Sequence, residues 1–379
     1  MKVAVNTRFL QAGHLEGVGN FTWEICRRLP DLLPEAEFLF CFDRPFDSMY
    51  TTTERTEGRV IFPPARHPLL WKWWFDYRLP RVVRKWGADV IWQPDGYCSL
   101  RTSIPQVTVM HDIAFVRYPD AVPARVLRYY REYTPRFLSQ AKRVLTVSHF
   151  VKNDLQYHFG VPEKKIRVTH NGVKSIFFPL SEAERAAVRE HYAGGRPYFL
   201  YVGAVHPRKN IERLIIAYDL YRRKNPDGIP LLIGGRLAWQ TDGVRAAYDR
   251  SACRADIRML GYVAEAELPR LLNGALALVY PSLDEGFGVP LLEAMHAEVP
   301  VVCSDRASLP EVGGTAARYF NPEDPAAIAA ALTDIVRNPA LRARLVAAGR
   351  TRKTRYTWDA SAHIVADTLR QAAGQPNIS

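Results

Sequence analysis

What most constrains this 379-residue chain is an alternation that runs through nearly all of it: short, β-branched apolar runs separated by stretches with helical periodicity. The first set of runs is VAVNT, EFLFCF, RVIF, DVIWQ, QVTVMHD, RVLTVS and KIRVTHNGV, all within the first 175 residues. The second set is YFLYVGA, PLLIGG, IRMLGYV, LALVYPS, VPVVCSD and ARYF. Amphipathic segments such as 210–224 and 291–297 lie between them. Strand, helix and strand in repetition give parallel sheets covered by helices. Two such sets predict an α/β chain of two doubly wound, Rossmann-like domains facing each other across a cleft. The division is expected between 173 and 196, where the pattern SEAERAAVREHY and then Gly194 and Gly195 lead into a fresh buried strand. The expected domains are 1–180, to bind the acceptor substrate, and 190–357, to bind the donor substrate, with a last helix at 358–374 (apolar Ile364, Val365 and Leu369) packing back on the first.

Composition enters by exclusion. Hydrophobic residues at 47% and charged residues at 24% rule out disorder of the whole chain. No run approaches the roughly 18 apolar residues of a spanning helix, and MKVAVNTRFL reads as a strand, not a signal segment. Cys26, Cys41, Cys98, Cys253 and Cys303 are scattered with no C-x-x-C pair, which argues against a disulfide framework and a zinc site. A reducing, cytoplasmic setting is expected. The net charge of +12 sits mainly in the first half, with 28 Lys and Arg against 20 Asp and Glu through residue 190. Such a charge favours nucleic acid, anionic lipid or phosphorylated ligands. No helix-turn-helix, zinc finger or stacking platform supports the first, so no nucleic-acid partner is expected.

Open α/β sheets bind ligands beyond the carboxyl ends of their strands, which directs attention to residues 281–300, PSLDEGFGVPLLEAMHAEVP. Gly286 and Gly288 let the backbone approach a ligand closely, and Pro290 suits a first helical turn. The N–H groups of Val289, Leu291 and Leu292 are then expected to face an anion. Glu285 and Glu293 place one acid in the loop and one at the helix start. Behind the strand YFLYVG, Arg208 and Lys209 are adjacent cationic donors, a pairing suited to phosphate.

The segment E-G-F-G-V-P-L-L-E resembles the E-x7-E motif of retaining family-4 glycosyltransferases of the GT-B fold, the group 1 glycosyl transferases, and is mannosyltransferase-like in kind. GVGNFT, MHDIAF, LTVSHFVKNDL, VTHNGV, YVGAVHPRKNIERLIIAY, MLGYV and SLPEVGG fall in that family's order, so the likeness spans roughly residues 2 to 360. The resemblance implies that Arg208 and Lys209 bind the donor diphosphate and that Glu293, beside Leu292, holds the nucleotide ribose. It implies that Glu285 and the backbone of Gly286, Phe287 and Gly288 hold the donor sugar, with His111 facing the transferred sugar from the other lobe. Gly17 and Gly19 would let a loop close over the phosphates, and Gly261, Tyr262 and Val263 would read the base. The chain departs from the family in AMHAEVP, where His296, Ala297 and Glu298 replace a Cys-Gly pattern.

The expected activity is retaining transfer of a hexose from a nucleotide-sugar, with GDP-mannose favoured over a UDP-sugar, to a glycan or a polyprenyl-diphosphate-linked saccharide in surface polysaccharide assembly. With no Asp-x-Asp donor loop and two cationic diphosphate ligands in place, neither a metal nor another cofactor is expected. A sugar-nucleotide epimerase of the same fold is the rival. Residues 66–86, RHPLLWKWWFDYRLPRVVRKW, hold four of the eight Trp and six Lys and Arg against one acid. With the basic-aromatic stretch 125–137, they suggest peripheral contact with an anionic membrane on its cytoplasmic face. Packing into the first domain is the other reading of 66–86.

Overall fold

The computed structural model describes every residue except 12, 14, 52, 66, 67, 237–240 and 377–379. The chain divides into two units: residues 1–115, 123–171 and 357–379 form the first, and 116–122 with 172–356 the second.

The first unit is built on β1 (Lys2–Asn6), β2 (Glu37–Phe42), β3 (Thr56–Val60), β4 (Val90–Gln93), β5 (Gln106–Met110), β6 (Arg143–Thr146) and β7 (Ile166–Val168). All neighbours are parallel, in the order β3-β2-β1-β4-β5-β6-β7. The central strands β4 and β5 are buried along their whole length, as a sheet covered on both faces requires. The edge strand β3 starts and stops earlier than the run RVIF suggests. Pro63 and Pro64 cannot donate to a ladder, so pairing ends at Val60, with Ile61 adding one last bond to the Phe42 carbonyl. The helix Trp358–Ala372, capped by the Thr357 hydroxyl, closes this unit with Val365, Ala366 and Leu369 fully buried.

The second unit is built on β8 (Phe199–Val202), β9 (Leu231–Gly234), β10 (Ile257–Gly261), β11 (Ala277–Tyr280), β12 (Val301–Ser304) and β13 (Ala317–Phe320). Its parallel order is β10-β9-β8-β11-β12-β13, so the winding reverses between β8 and β11. In the first unit the same reversal falls between β1 and β4.

The chain enters the second unit at residue 172, ahead of the expected 180–190 joint. The reason is a set of polar ties. Buried Asn273 donates to the Phe178 carbonyl at 3.0 Å and accepts from the Leu180 amide at 2.9 Å, and Lys174 pairs with Glu265. The helix Glu182–Ala193 then begins on a full capping box, Ser181 with Glu184, and ends on left-handed Gly194.

Candidate active site

The reversal between β8 and β11 opens a crevice at the carboxyl ends of the strands, the place where doubly wound sheets take ligands. Glycines make the approach there. Gly203 leaves β8 with φ 143°, its amide donating to the Gly234 carbonyl at 2.9 Å. Just past β9, Gly235 has φ 151°, and a Cβ on it would lie 1.9 Å from the Gly203 carbonyl oxygen. No other residue fits that position.

After β8 the turn Pro207–Lys209 presents two cations that do different things. Lys209, 9% exposed, donates to the Tyr280 hydroxyl at 2.9 Å and forms a tight ion pair with Glu285, itself 7% exposed. Burial would raise the Glu285 carboxyl, but Lys209 and then Arg208 outweigh it and hold the group at about 2. Burial and then Glu285 push the Tyr280 phenol well up, so it stays protonated beside the carboxylate. Glu285 is thus more enclosed than a loop acid, because its charge is matched from within the unit. Half-buried Arg208 donates to the Asp284 carbonyl at 3.2 Å, and its own carbonyl accepts from the Leu283 amide at 2.9 Å. The two loops after β8 and β11 are one hydrogen-bonded body.

Gly288 caps the helix Val289–His296 with φ 99°, and a Cβ there would strike Leu309 at 2.6 Å. The Leu291 amide is not available to an anion, contrary to the expectation from sequence: it is taken up by the Gly288 carbonyl at 3.0 Å, because the left-handed cap turns that carbonyl under the first helical turn. Leu292 is fully buried, and Phe287 packs edge-on against Tyr356 at 5.5 Å, so both anchor the loop and helix. Half-buried Glu293 differs from Glu285. Burial raises its carboxyl to about 7, with Lys174 opposing and Glu265 reinforcing the rise. Two carboxylates in one motif are driven to opposite ends of the range. At the end of β10, Gly261 has φ 68° with open space where a Cβ would be, Tyr262 is 64% exposed, and Val263 is partly covered.

In the first unit, His111 follows β5. Its Nε2 lies 2.7 Å from the Pro94 carbonyl oxygen, and its ring meets Phe21 edge-on at 5.2 Å. Burial lowers its pKa, opposed by the Pro94 hydrogen bond and by Asp112. Gly17 opens the helix Gly17–Cys26 in open space, whereas Gly19 is needed for packing, since a Cβ would sit 2.7 Å from the Phe9 carbonyl oxygen.

Four residues of the second unit, Asn210, Asp284, Arg117 and Tyr118, carry more than the sequence suggested. Asn210 is left-handed at φ 61°, and its buried amide donates to Pro281 at 3.1 Å and Pro322 at 2.7 Å, tying three loops together. Its signal was an Asn between a turn and a helix, the residue type that tolerates that conformation. Asp284 accepts from Arg117 Nε at 2.5 Å, and Tyr118 reaches the Leu283 carbonyl at 3.4 Å. Segment 116–122 therefore belongs to this unit.

Two parallel α/β sheets with a cation–carboxylate cluster at a switch point define a sugar-transferring enzyme of the GT-B fold once the likenesses are added. Residues 183–352 match the family described as glycosyl transferases group 1, and residues 15–175 match glycosyltransferase family 4. The chain is 32% identical over 359 residues to the O-antigen chain mannosyltransferase B of Escherichia coli, covering 91% of this chain and 93% of that one. It belongs to the group 1, family-4 glycosyltransferases. Two solved structures share the fold: sucrose-phosphate synthase of Thermosynechococcus elongatus, with TM-score 0.75 at 18% identity over 98% of each chain, and HepE of Anabaena in complex with UDP and glucose. The latter has TM-score 0.73 at 17% identity, over 97% of this chain and 98% of that one. No described helix is long and apolar enough to cross a membrane.

Proposed function

We propose that the enzyme moves mannose from GDP-mannose to a saccharide acceptor, free or carried on a polyprenyl diphosphate, with retention of configuration and without a metal. Likeness to an O-antigen chain mannosyltransferase along nearly its whole length supports the sugar and the polysaccharide setting. The observation that carries the chemistry is the fused loop pair after β8 and β11, which holds Arg208, Lys209 and Glu285 together.

In this reading Arg208 meets the diphosphate directly, and charge that develops on the leaving nucleotide is stabilised by a group already fixed in place. Lys209 acts one step back: it keeps Glu285 ionised, and the Glu285 carboxylate with the backbone of residues 286–288 accepts and donates to the donor sugar hydroxyls. Glu293 holds the ribose as an acceptor when ionised. Residues 261–263 read the base, with exposed Tyr262 available to stack on it. His111 and the loop at Gly17 and Gly19 act on the donor's sugar and phosphates. A cytoplasmic-leaflet location, held by exposed aromatic and basic residues of the first unit, completes the proposal.

The test is transfer from radiolabelled GDP-mannose, UDP-glucose and UDP-N-acetylglucosamine to a saccharide primer, with and without EDTA. Mannose transfer that survives EDTA and preserves the α-anomer is expected. Turnover of a UDP-sugar without an acceptor, or loss of activity on chelation that magnesium restores, would overturn it.

A further inference from the structure

The first sheet has a switch point of its own, between β1 and β4, and polar side chains there are spent on building a cavity. Asp95, after β4, accepts from Asn6 at 2.9 Å and from Arg8 Nε at 2.7 Å through one oxygen. Arg8, fixed in this way, lies over the rings of Tyr97 at 4.7 Å and Phe75 at 5.3 Å. Tyr97 in turn packs on Trp71 at 5.0 Å. Trp71, Tyr97, Tyr129 and Tyr133, with Arg125 and Val126 at the rim, line a cavity of about 430 Å³. That is within the range of small-molecule sites. A π-helical turn, Trp74–Arg78, directly follows the helix that carries Trp71, and such turns recur at functional sites. The residues 94–97 that supply Tyr97 also supply the Pro94 carbonyl beside His111. The cavity and the histidine share a wall.

Three occupants suit an aromatic cavity with a basic rim: an isoprenoid chain, a phosphate and a sugar ring. The Tyr129 hydroxyl separates them. It is buried and has no hydrogen-bond partner among the described residues. An unpaired buried hydroxyl is destabilising, and an isoprenoid would leave it unpaired. A phosphate would look to Arg125 and Arg128 at the rim, where Glu132 opposes it, and would gain nothing from aromatic walls. A sugar ring offers an apolar C–H face to the rings and hydroxyls at its edge to Tyr129 and Arg125.

We propose that this cavity is a saccharide subsite, holding one sugar residue of the acceptor against Trp71, Tyr97 and Tyr129. The inference rests on the glycosyltransferase reading, but it concerns a different unit from the donor loops and is measured without turnover. Saturation-transfer NMR on the full chain would use α-mannotriose, maltotriose and farnesyl phosphate as probes. Transfer to a trisaccharide is expected in the wild type, weakened about five- to tenfold by Tyr129→Phe, the value of one hydrogen bond. Val126→Trp, which fills the cavity from its exposed rim, should abolish it while the far-ultraviolet circular dichroism and the thermal midpoint stay unchanged. Silence from both sugars in the wild type, or sugar signals that neither variant alters, would overturn the assignment. So would farnesyl phosphate signals that the variants remove in the absence of sugar binding. A wild type that binds trisaccharides but shows no thermal shift with GDP or UDP would sink the transferase reading instead, leaving the subsite in place.

Discussion

Replacing Glu293 by glutamine should make the protein more stable and a poorer enzyme, and the gain in stability should depend on pH. Burial lifts the Glu293 carboxyl from 4.5 to about 7, with Lys174 pulling against the rise and Glu265 adding to it. At about 1.4 kcal/mol per pH unit, ionising this group in the folded protein costs about 3 kcal/mol. Its partial exposure screens that to about 2 kcal/mol. Because the folded value lies above the unfolded one, the native state keeps a proton that the unfolded chain gives up. The group's contribution is complete below about 4.5 and is lost as pH rises through about 7. Glutamine cannot ionise, so Glu293→Gln escapes the loss. Urea unfolding should find the variant equal to wild type at pH ~4 and about 2 kcal/mol more stable at pH ~8.5. GDP affinity should fall below pH 7 in the wild type, as the ribose-accepting carboxylate is protonated, and should not follow pH in the variant. A variant destabilised by the same amount at both pH values would refute the reasoning, since the carboxyl would then be a packing element and not a strained acid.

Lys209→Met should cost about 3–5 kcal/mol in thermal unfolding, because it strands the buried Glu285 carboxylate. Adding Glu285→Gln should recover most of the stability and none of the transfer activity; a single variant as stable as wild type would show the pair to be solvated. Gly235→Ala should be destabilised by more than about 3 kcal/mol on denaturant titration, since its Cβ has no room beside the Gly203 carbonyl. Wild-type stability there would mean the strand ends can part. Of the 66–86 stretch, Trp74 and Phe75 are core while Trp73 is 50% exposed and stacks on Tyr77 at 5.0 Å. Co-sedimentation with phosphatidylglycerol vesicles, falling with salt and reduced by Trp73→Ala with Tyr77→Ala, is the expected result; equal indifference to anionic and neutral vesicles would refute it.

The strands were legible because their signal is local: a buried parallel strand is a short apolar run wherever it sits. Both sets of runs fold where they were read, with only the third, at the sheet edge, displaced by Pro63 and Pro64. The E-x7-E loop was legible for the same reason, as its glycines and acids are neighbours in sequence. The partners that give those acids opposite characters were not. Lys209 meets Glu285 from 76 residues away, and Lys174 and Glu265 reach Glu293 from other elements. The ties of 116–122 to the second unit include Arg117 to Asp284 and Tyr118 to the Leu283 carbonyl, more than 160 residues away, which no periodicity announces. The 66–86 stretch resisted for a different cause: the helical run over 68–86 turns Trp74 and Phe75 to the core and Trp73 and Tyr77 to the surface, so its composition alone answers neither question.

The helix Trp358–Ala372 belongs to the first unit although the entire second unit precedes it in the chain. Its Ser361 hydroxyl donates to the Thr357 carbonyl at 3.1 Å and also reaches the His170 carbonyl, 191 residues earlier, and Asp359 pairs with Arg28 at 2.6 Å. On the ribosome, residues 172–356 can therefore finish folding while β4, β5 and β6 still await the helix that covers them. The first unit must wait in an incomplete state through the synthesis of its successor, with an apolar sheet face open to chaperones and to neighbouring nascent chains. Substitutions at Val365 or Leu369 should accordingly lower the soluble yield of newly made protein more than they lower the stability of protein already folded.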